Sequence, residues 1–308
     1  MMTPIKVAVA GASGALGSLI VDCLLNSQSP RFHVTALSRK KHDSATISPQ
    51  LHVCETDYND VGKLTDLLRG HDILISAVSA DSAIEVDYRL LDSAILAGVS
   101  RFIPSEYTLD LYHPAVRATK SPIIYGKKIK RAERLEEEGR NGRIEWTTIV
   151  PAGFFDWALD NGLLGFDIKN RKATLYDEGK HLATACTLSF LAACIVRAAS
   201  LTGPEVRNKR VRVAEFAYTG KEVLDLLEKF TGDKFAVEYV KTADLVSRAD
   251  EEIAKGNIRA AVVCYAHKHG NDGQGAAYLE DGLLWGQDEL SRKTVFQIVE
   301  EAVKRSQA

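Results

Sequence analysis

The chain has 308 residues and a formal net charge of −2, from 39 Lys and Arg against 41 Asp and Glu, and 45% of it is apolar. That length supports a sizeable core and divides naturally into one nucleotide-sized domain and a smaller companion. The balanced charge excludes the basic face that a phosphate backbone demands, so no nucleic-acid partner is expected. The apolar runs fall short of a membrane span, and Met1-Met2-Thr3-Pro4 lacks the basic start and apolar core of a secretion signal. The expectation is a soluble cytoplasmic protein, with monomer and homodimer both left open.

The first predicted strand, Ile5 to Ala10, runs directly into Gly11-Ala12-Ser13-Gly14-Ala15-Leu16-Gly17, and the apolar residues Leu19, Ile20, Leu24 and Leu25 then read as a helix. Strand, glycine turn and helix in that order let backbone amides and the positive end of a helix face a pyrophosphate. The spacing is G-x-x-G-x-x-G rather than the commoner G-x-G-x-x-G, so placement carries the reading more than pattern. Gly11, Ser13, Gly14, Ala15, Leu16 and Gly17 are therefore candidate contacts for a dinucleotide.

Short runs rich in Val, Ile or Leu follow at His33 to Leu37, His52 to Cys54, Ile73 to Ala77, Arg101 to Ile103 and Trp146 to Ile149. Helical segments lie between them at about Asp60 to Arg69, Asp87 to Ala97 and Pro122 to Glu138. Strict alternation predicts an α/β fold with a doubly wound parallel sheet, with ligands at the carboxyl ends of its strands. Beyond Pro151 a loop-rich stretch gives way to a mixed pattern: helices at Ser189 to Ala199, Gly220 to Phe230, Ala243 to Lys255 and Ser291 to Lys304, and strands at Lys209 to Val213 and Phe235 to Val240. Thr219 and Glu222 form a capping box for the second of these helices. The expected division is 1–150 for the nucleotide domain and 151–308 for a second, smaller α/β domain. No proline-rich linker marks the boundary, so the chain is free to cross it more than once.

The end of the second strand discriminates between cofactors. An NAD site places Asp or Glu there for the ribose hydroxyls, whereas this chain reads Ser38-Arg39-Lys40-Lys41, with no carboxylate before Asp43. Arg39 can clamp a 2′-phosphate with its planar fork and Lys40 can add a point charge, which favours NADP(H). Asp57 follows the third strand, and Ser76, Ala77 and Val78 the fourth; by position they extend the cofactor site. Asp57 with Asp60 equally fits a turn and helix cap.

Five cysteines are scattered without a C-x-x-C pair, which fits reduced thiols rather than a disulfide frame or zinc site. His267 and His269 lack a carboxylate or cysteine set to complete a ligand shell, so no metal is expected, and both read as exposed residues at a helix end.

Arg101-Phe102-Ile103-Pro104-Ser105-Glu106-Tyr107, together with the glycine turn and basic strand end, resembles the isoflavone reductase-like or NmrA-like group of atypical short-chain dehydrogenases. The resemblance runs from the first strand to Pro151-Ala152-Gly153-Phe154-Phe155. It implies a Rossmann-type domain, an NADPH-dependent reductase acting on aromatic substrates, and a catalytic lysine in the helix after the P-S-E loop. Tyr107 stands where the group carries phenylalanine. Thr187-Leu188-Ser189 stands where many relatives carry an acidic D-I-G or D-I-A step.

Helical geometry chooses between Lys127 and Lys128. At about 100° per residue, Ile124, Leu135, Lys128, Ala132, Tyr125 and Ile129 share one arc roughly 140° wide, interrupted by Glu136. Lys127 falls opposite with Arg131, Arg134 and Glu138, a side that reads as solvated. Lys128 is thus the candidate catalytic residue, orienting the ribose or delivering a proton; its stem packing with a snorkelling ammonium is the plainer reading. No Tyr-x-x-x-Lys pair is encoded. Ser105 and Glu106 should face the nicotinamide end, although a strand-ending turn also explains them. Tyr107, Phe154, Phe155 and Trp157 are candidate substrate contacts, with core packing an equal alternative for the aromatic group. Two functions remain open: a reductase of a small aromatic molecule (enone, carbonyl, quinone or benzylic carbon), or a non-catalytic NADP-binding redox-sensing regulator of the NmrA-like type.

Overall fold

The computed structural model describes residues 3–39, 50–119, 121–273 and 290–307. In chain order the elements begin with β1 (Ile5–Ala10), α1 (Ala15–Asn26), β2 (Phe32–Ser38), β3 (Leu51–Glu55), α2 (Val61–Leu68), β4 (Ile73–Ser76), α3 (Ala80–Ala97) and β5 (Arg101–Ile103). They continue through α4 (Pro114–Arg117), α5 (Ser121–Arg140), β6 (Glu145–Val150), α6 (Phe155–Asp160), β7 (Phe166–Asp167), β8 (Lys172–Tyr176), β9 (Leu182–Ala185) and α7 (Leu188–Ser200). The last are β10 (Lys209–Arg212), β11 (Phe216–Thr219), α8 (Gly220–Thr231), β12 (Ala236–Val240), α9 (Thr242–Ala254), α10 (Ile258–Asn271) and α11 (Val295–Gln307).

The large sheet has the order β10-β6-β5-β4-β1-β2-β3. β1 pairs in parallel with β2 on one side and β4 on the other, so the strand order reverses direction at β1. Ala10 stands level with Leu37 and with Ser76, which brings the carboxyl ends of β1, β2 and β4 into line at that reversal. A doubly wound sheet opens its ligand crevice there. Val7 to Ala10 are all buried, as a central strand covered on both faces requires.

Contacts divide the chain into two units: Met1–Glu106, Lys127–Ile149 and Leu191–Val211, then Tyr107–Gly126, Val150–Phe190 and Arg212–Ala308. These bounds differ from a single break at 150, because the chain crosses several times. The strand expected at Lys209 to Val213 is β10, and it lies at the edge of the large sheet rather than in the second domain. Asn208 N–H donates to the Trp146 carbonyl at 2.8 Å and Thr147 Oγ1 to the Val206 carbonyl at 2.8 Å, so this segment is bound to β6.

The first unit contains a core of Leu37, Leu64, Leu74, Leu90, Phe102 and Leu135 among others. The second is built around Phe155, Leu175, Val223, Leu227 and Val299. In it β9 pairs antiparallel with β11, while β8 pairs with β7 and β12. The stretch expected to be loop-rich holds α6 and three strands of two to five residues, too short to register as alternation. Thr219 Oγ1 accepts from Glu222 N–H at 3.1 Å, the expected cap of α8.

Helix α10 has no sequence counterpart above, because its inward stripe is only Ala261, Tyr265 and His269. The histidines are not exposed: His269 is 1% exposed and His267 stacks on Tyr176 at 4.4 Å. Burial pushes both imidazoles down to about 4, so both are neutral at pH 7. Among the described residues no helix is long and apolar enough to cross a membrane, and no cluster of His, Cys, Asp or Glu could hold a metal ion.

Candidate functional site

The glycine turn follows directly from what its neighbours leave no room for. Gly11 has φ +74, and a Cβ there would lie 2.6 Å from the Ala77 carbonyl oxygen at the end of β4. A Cβ on Gly17 would lie 2.1 Å from the Gly11 carbonyl oxygen, and one on Gly14 3.3 Å from the same atom. The turn folds back on itself, with Gly14 N–H donating to the Gly11 carbonyl at 3.0 Å. Helix α1 then starts at Gly14 with no side-chain cap and no acidic residue in its first turn. Ser13, Gly14 and Ala15 are exposed and Leu16 is half-buried. A bare helix N-terminus behind a side-chain-free turn is a seat for a phosphate, and the residues present fit a nicotinamide dinucleotide.

Gly17→Ala is expected to destabilise the protein by about 1–3 kcal/mol, because the added methyl meets a backbone oxygen that cannot yield. The roughly 0.4–1 kcal/mol gained by stiffening the unfolded chain does not offset this. Urea denaturation checks the stability, and NADPH fluorescence titration should show weakened binding.

Ser38 is buried at the end of β2, with its carbonyl accepting Thr56 N–H at 2.8 Å, and Arg39 is exposed just beyond it. Lys40, Lys41 and Asp43 lie outside the described residues. Asp57 Oδ1 accepts Asn59 N–H at 2.9 Å, which holds its carboxyl below the usual range, and Asp60 Oδ1 caps α2 through Lys63 N–H at 3.0 Å. Both aspartates thus make the turn and cap contacts that their spacing allowed.

At the ends of β4 and β5 the structure gathers a buried charged cluster. Ser105 Oγ donates to the Val78 carbonyl at 2.9 Å, and Ser105 N–H to Asp87 Oδ2 at 3.0 Å. Arg131 Nη1 bonds the same Asp87 oxygen at 2.5 Å, and its other arm pairs with Glu106. Arg131 and Asp87 have no exposed side-chain surface. Burial pushes the Asp87 carboxyl up, opposed first by the Arg131 guanidinium and then by the Ser76 hydroxyl, the Ser105 amide and the Lys128 ammonium. Glu106 is therefore engaged by Arg131, and Ser76, Val78 and Ser105 are drawn together around Asp87.

This cluster corrects the reading of α5. Lys127 does point to solvent, 72% exposed and 2.9 Å from Glu85. Arg131 and Glu138 do not, because the supposedly solvated side faces α3: Lys127 pairs with Glu85, Arg131 with Asp87 and Arg134 with Asp92. Carboxylates at 85 and 92 and cations at 127 and 134 share one seven-residue spacing, but the spacing alone does not say that the two helices face each other.

The other side of α5 agrees with the predicted arc: Tyr125, Ile129, Ala132 and Leu135 are all buried. Glu136, its polar interruption, is half-buried and pairs with Arg210. The side chain of Ile124 lies outside the described residues. Lys128 is half-buried in this setting. Desolvation pushes its ammonium down to about 8 against the upward pull of Asp87. A lysine titrating there exchanges a proton readily near neutral pH.

The candidate substrate residues belong to the second unit. Phe155 has no exposed surface and packs edge-on against Phe216 at 5.2 Å and Tyr218 at 4.7 Å, so it is a core residue and offers no face for stacking. Phe154 and Tyr107 are half-buried, and Trp157 is 43% exposed. Thr187-Leu188-Ser189 carries no acid of its own, but two acids reach the segment from elsewhere. Glu215 accepts Thr187 N–H at 2.8 Å and Asp156 accepts Leu188 N–H at 3.1 Å.

The parallel order reversing at β1 and the glycine cradle at its carboxyl end are those of a nicotinamide dinucleotide-binding protein. The NAD(P)H-binding family matches residues 11–171. Oxidoreductase aprR of Aspergillus flavus is 33% identical over 82% of this chain and 83% of its own. The isoflavone reductase homolog IRL of Zea mays is 26% identical over 83% of this chain and 84% of its own. The leucoanthocyanidin reductase–NADPH complex from Vitis vinifera superposes with a TM-score of 0.75, covering 97% of this chain and 99% of that one at 20% identity. The chain belongs to the NAD(P)H-binding family and is an NADP-dependent oxidoreductase similar to isoflavone reductases.

Proposed function

We propose that this protein is an NADPH-dependent reductase that passes hydride to a small aromatic molecule at an enone, carbonyl, quinone or benzylic carbon. The observation that carries the reading is Lys128, held half-buried on an apolar helix face with its ammonium pushed down to about 8. Two solved relatives support the cofactor and the substrate class: leucoanthocyanidin reductase with NADPH, and a protein with NADP+ and pinoresinol. Five free cysteines support a reducing, cytoplasmic setting.

Bound NADPH supplies the hydride. The turn at Gly11 to Gly17 and the start of α1 would hold the pyrophosphate, and Arg39 would take the 2′-phosphate. Lys128 delivers the proton, directly or through water, to the oxygen or carbon that gains negative charge, and is reprotonated from solvent. Trp157, Phe154 and Tyr107 are the aromatic surfaces offered to a planar substrate.

NADPH oxidation against a panel of quinones, enones, isoflavones and benzylic ethers tests this. Turnover of at least one class is expected; tight NADPH binding with no oxidation across the panel would replace the reductase by the NADP-binding regulator. Arg39→Ala should raise the NADPH Kd by about tenfold, the loss of one charge-assisted contact, and leave NADH affinity nearly unchanged. Calorimetry with both nucleotides reads the difference.

A further inference from the structure

Tyr58 follows β3 with φ +63, in the left-handed region that bulky residues avoid, and its side chain is 4% exposed. Glycine or asparagine would adopt this backbone with less strain. What tyrosine adds is reach. Its phenol donates to the Leu37 carbonyl at 2.6 Å and accepts Gly11 N–H at 3.0 Å. The polarity is fixed, because a carbonyl can only accept and an amide N–H can only donate. One oxygen therefore braces the first residue of the glycine turn against the end of β2, two residues before Arg39.

The strained backbone is held from both sides. Arg89 Nε, on α3, donates to the Tyr58 carbonyl at 2.7 Å, and Tyr58 N–H donates to Thr56 Oγ1 at 3.3 Å. Thr56 N–H in turn bonds the Ser38 carbonyl at 2.8 Å. A non-glycine residue persists at positive φ only where its surroundings over-determine it, and such residues gather at ligand sites.

We infer that Tyr58 is a positioning residue that sets the distance between the pyrophosphate cradle at Gly11 and the 2′-phosphate grip at Arg39, and so governs discrimination between NADPH and NADH. The inference rests on the reading of Arg39 given above. NADH needs the cradle alone; NADPH needs the cradle and Arg39 at a fixed separation. Loosening the brace therefore weakens NADPH more than NADH.

Calorimetry with NADPH and NADH on wild type, Tyr58→Phe and Arg39→Ala tests it, with urea denaturation run without nucleotide. Tyr58→Phe leaves the Gly11 amide without its acceptor, and the NADPH Kd is expected to rise about tenfold against about twofold for NADH. A purely structural role would lower stability and leave the ratio of the two Kd values unchanged, and that result overturns the inference. An Arg39→Ala ratio equal to wild type sinks both readings. A ratio that collapses in Arg39→Ala and stays intact in Tyr58→Phe sinks this one alone. Should Tyr58→Phe fail to fold, Arg89→Gln frees the Tyr58 carbonyl and is judged by the same ratio.

Discussion

Replacing Lys128 by alanine or methionine is expected to lower turnover by about 10²–10⁴-fold, the usual share of a positioned acid–base group, while NADPH still binds. Methionine keeps the packed stem and removes only the ammonium, which separates the chemistry from the snorkelling reading. Lys128→Arg distinguishes the two catalytic roles. An arginine keeps the charge but never releases its proton, so it rescues a lysine that only orients the ribose and fails to rescue one that donates. The pH profile gives the sign. Burial lowers the ammonium to about 8, so the donor form is full below that value and is lost as pH rises through it. Wild-type turnover should fall on the alkaline side of about 8, and the residual rate of Lys128→Met should lack that limb. Stopped-flow or steady-state NADPH absorbance on the best panel substrate measures both. Turnover of Lys128→Met equal to wild type would remove the residue from the mechanism.

The place of Lys128 on the apolar side was readable from the sequence because a helix converts residue number into direction, and five apolar neighbours mark that side of α5. The same rule misplaced Arg131. Periodicity reports which side chains are polar, and it has no way to tell a side facing water from a side facing a second charged helix. Only the pairing of α5 with α3 turns Arg131 from a solvated cation into one with no exposed surface. The glycine turn was legible for a different reason. A position that tolerates no Cβ leaves a direct trace in the sequence, and strand and helix flank it at the expected spacing. Tyr58 leaves no such trace, because its role depends on a phenol crossing between two strand ends brought level by sheet register. In the second unit the strands run only two to five residues, and the short inward stripe of α10 includes a histidine. Local patterns there are weak, and tertiary packing decides the structure.

Arg131→Met is expected to destabilise the protein at neutral pH by about 3–5 kcal/mol, the usual loss when one partner leaves a buried ion pair. That is a large part of the roughly 5–15 kcal/mol that holds a typical domain together. One guanidinium serves two carboxylates here, so its removal strands both Asp87 and Glu106 in a site from which water is excluded. Lys128 can answer only one of them. The pH dependence follows. Stranded carboxyls titrate above their unfolded value, so between those two values the folded variant binds more protons than the unfolded one. The stability gap to wild type should therefore narrow as pH falls from about 7.5 to about 5, opposite to the acid destabilisation of an ordinary salt-bridged protein. Urea midpoints of wild type and Arg131→Met at both pH values measure the gap, and a gap that stays constant or widens on acidification would show that the cluster is not ionised as paired. Asp87→Asn supplies the complementary result. It removes the negative charge that holds the Lys128 proton, so the alkaline limb of turnover should move below 8. One buried arginine thus links the stability of the β4 and β5 ends to the protonation of the lysine beside them.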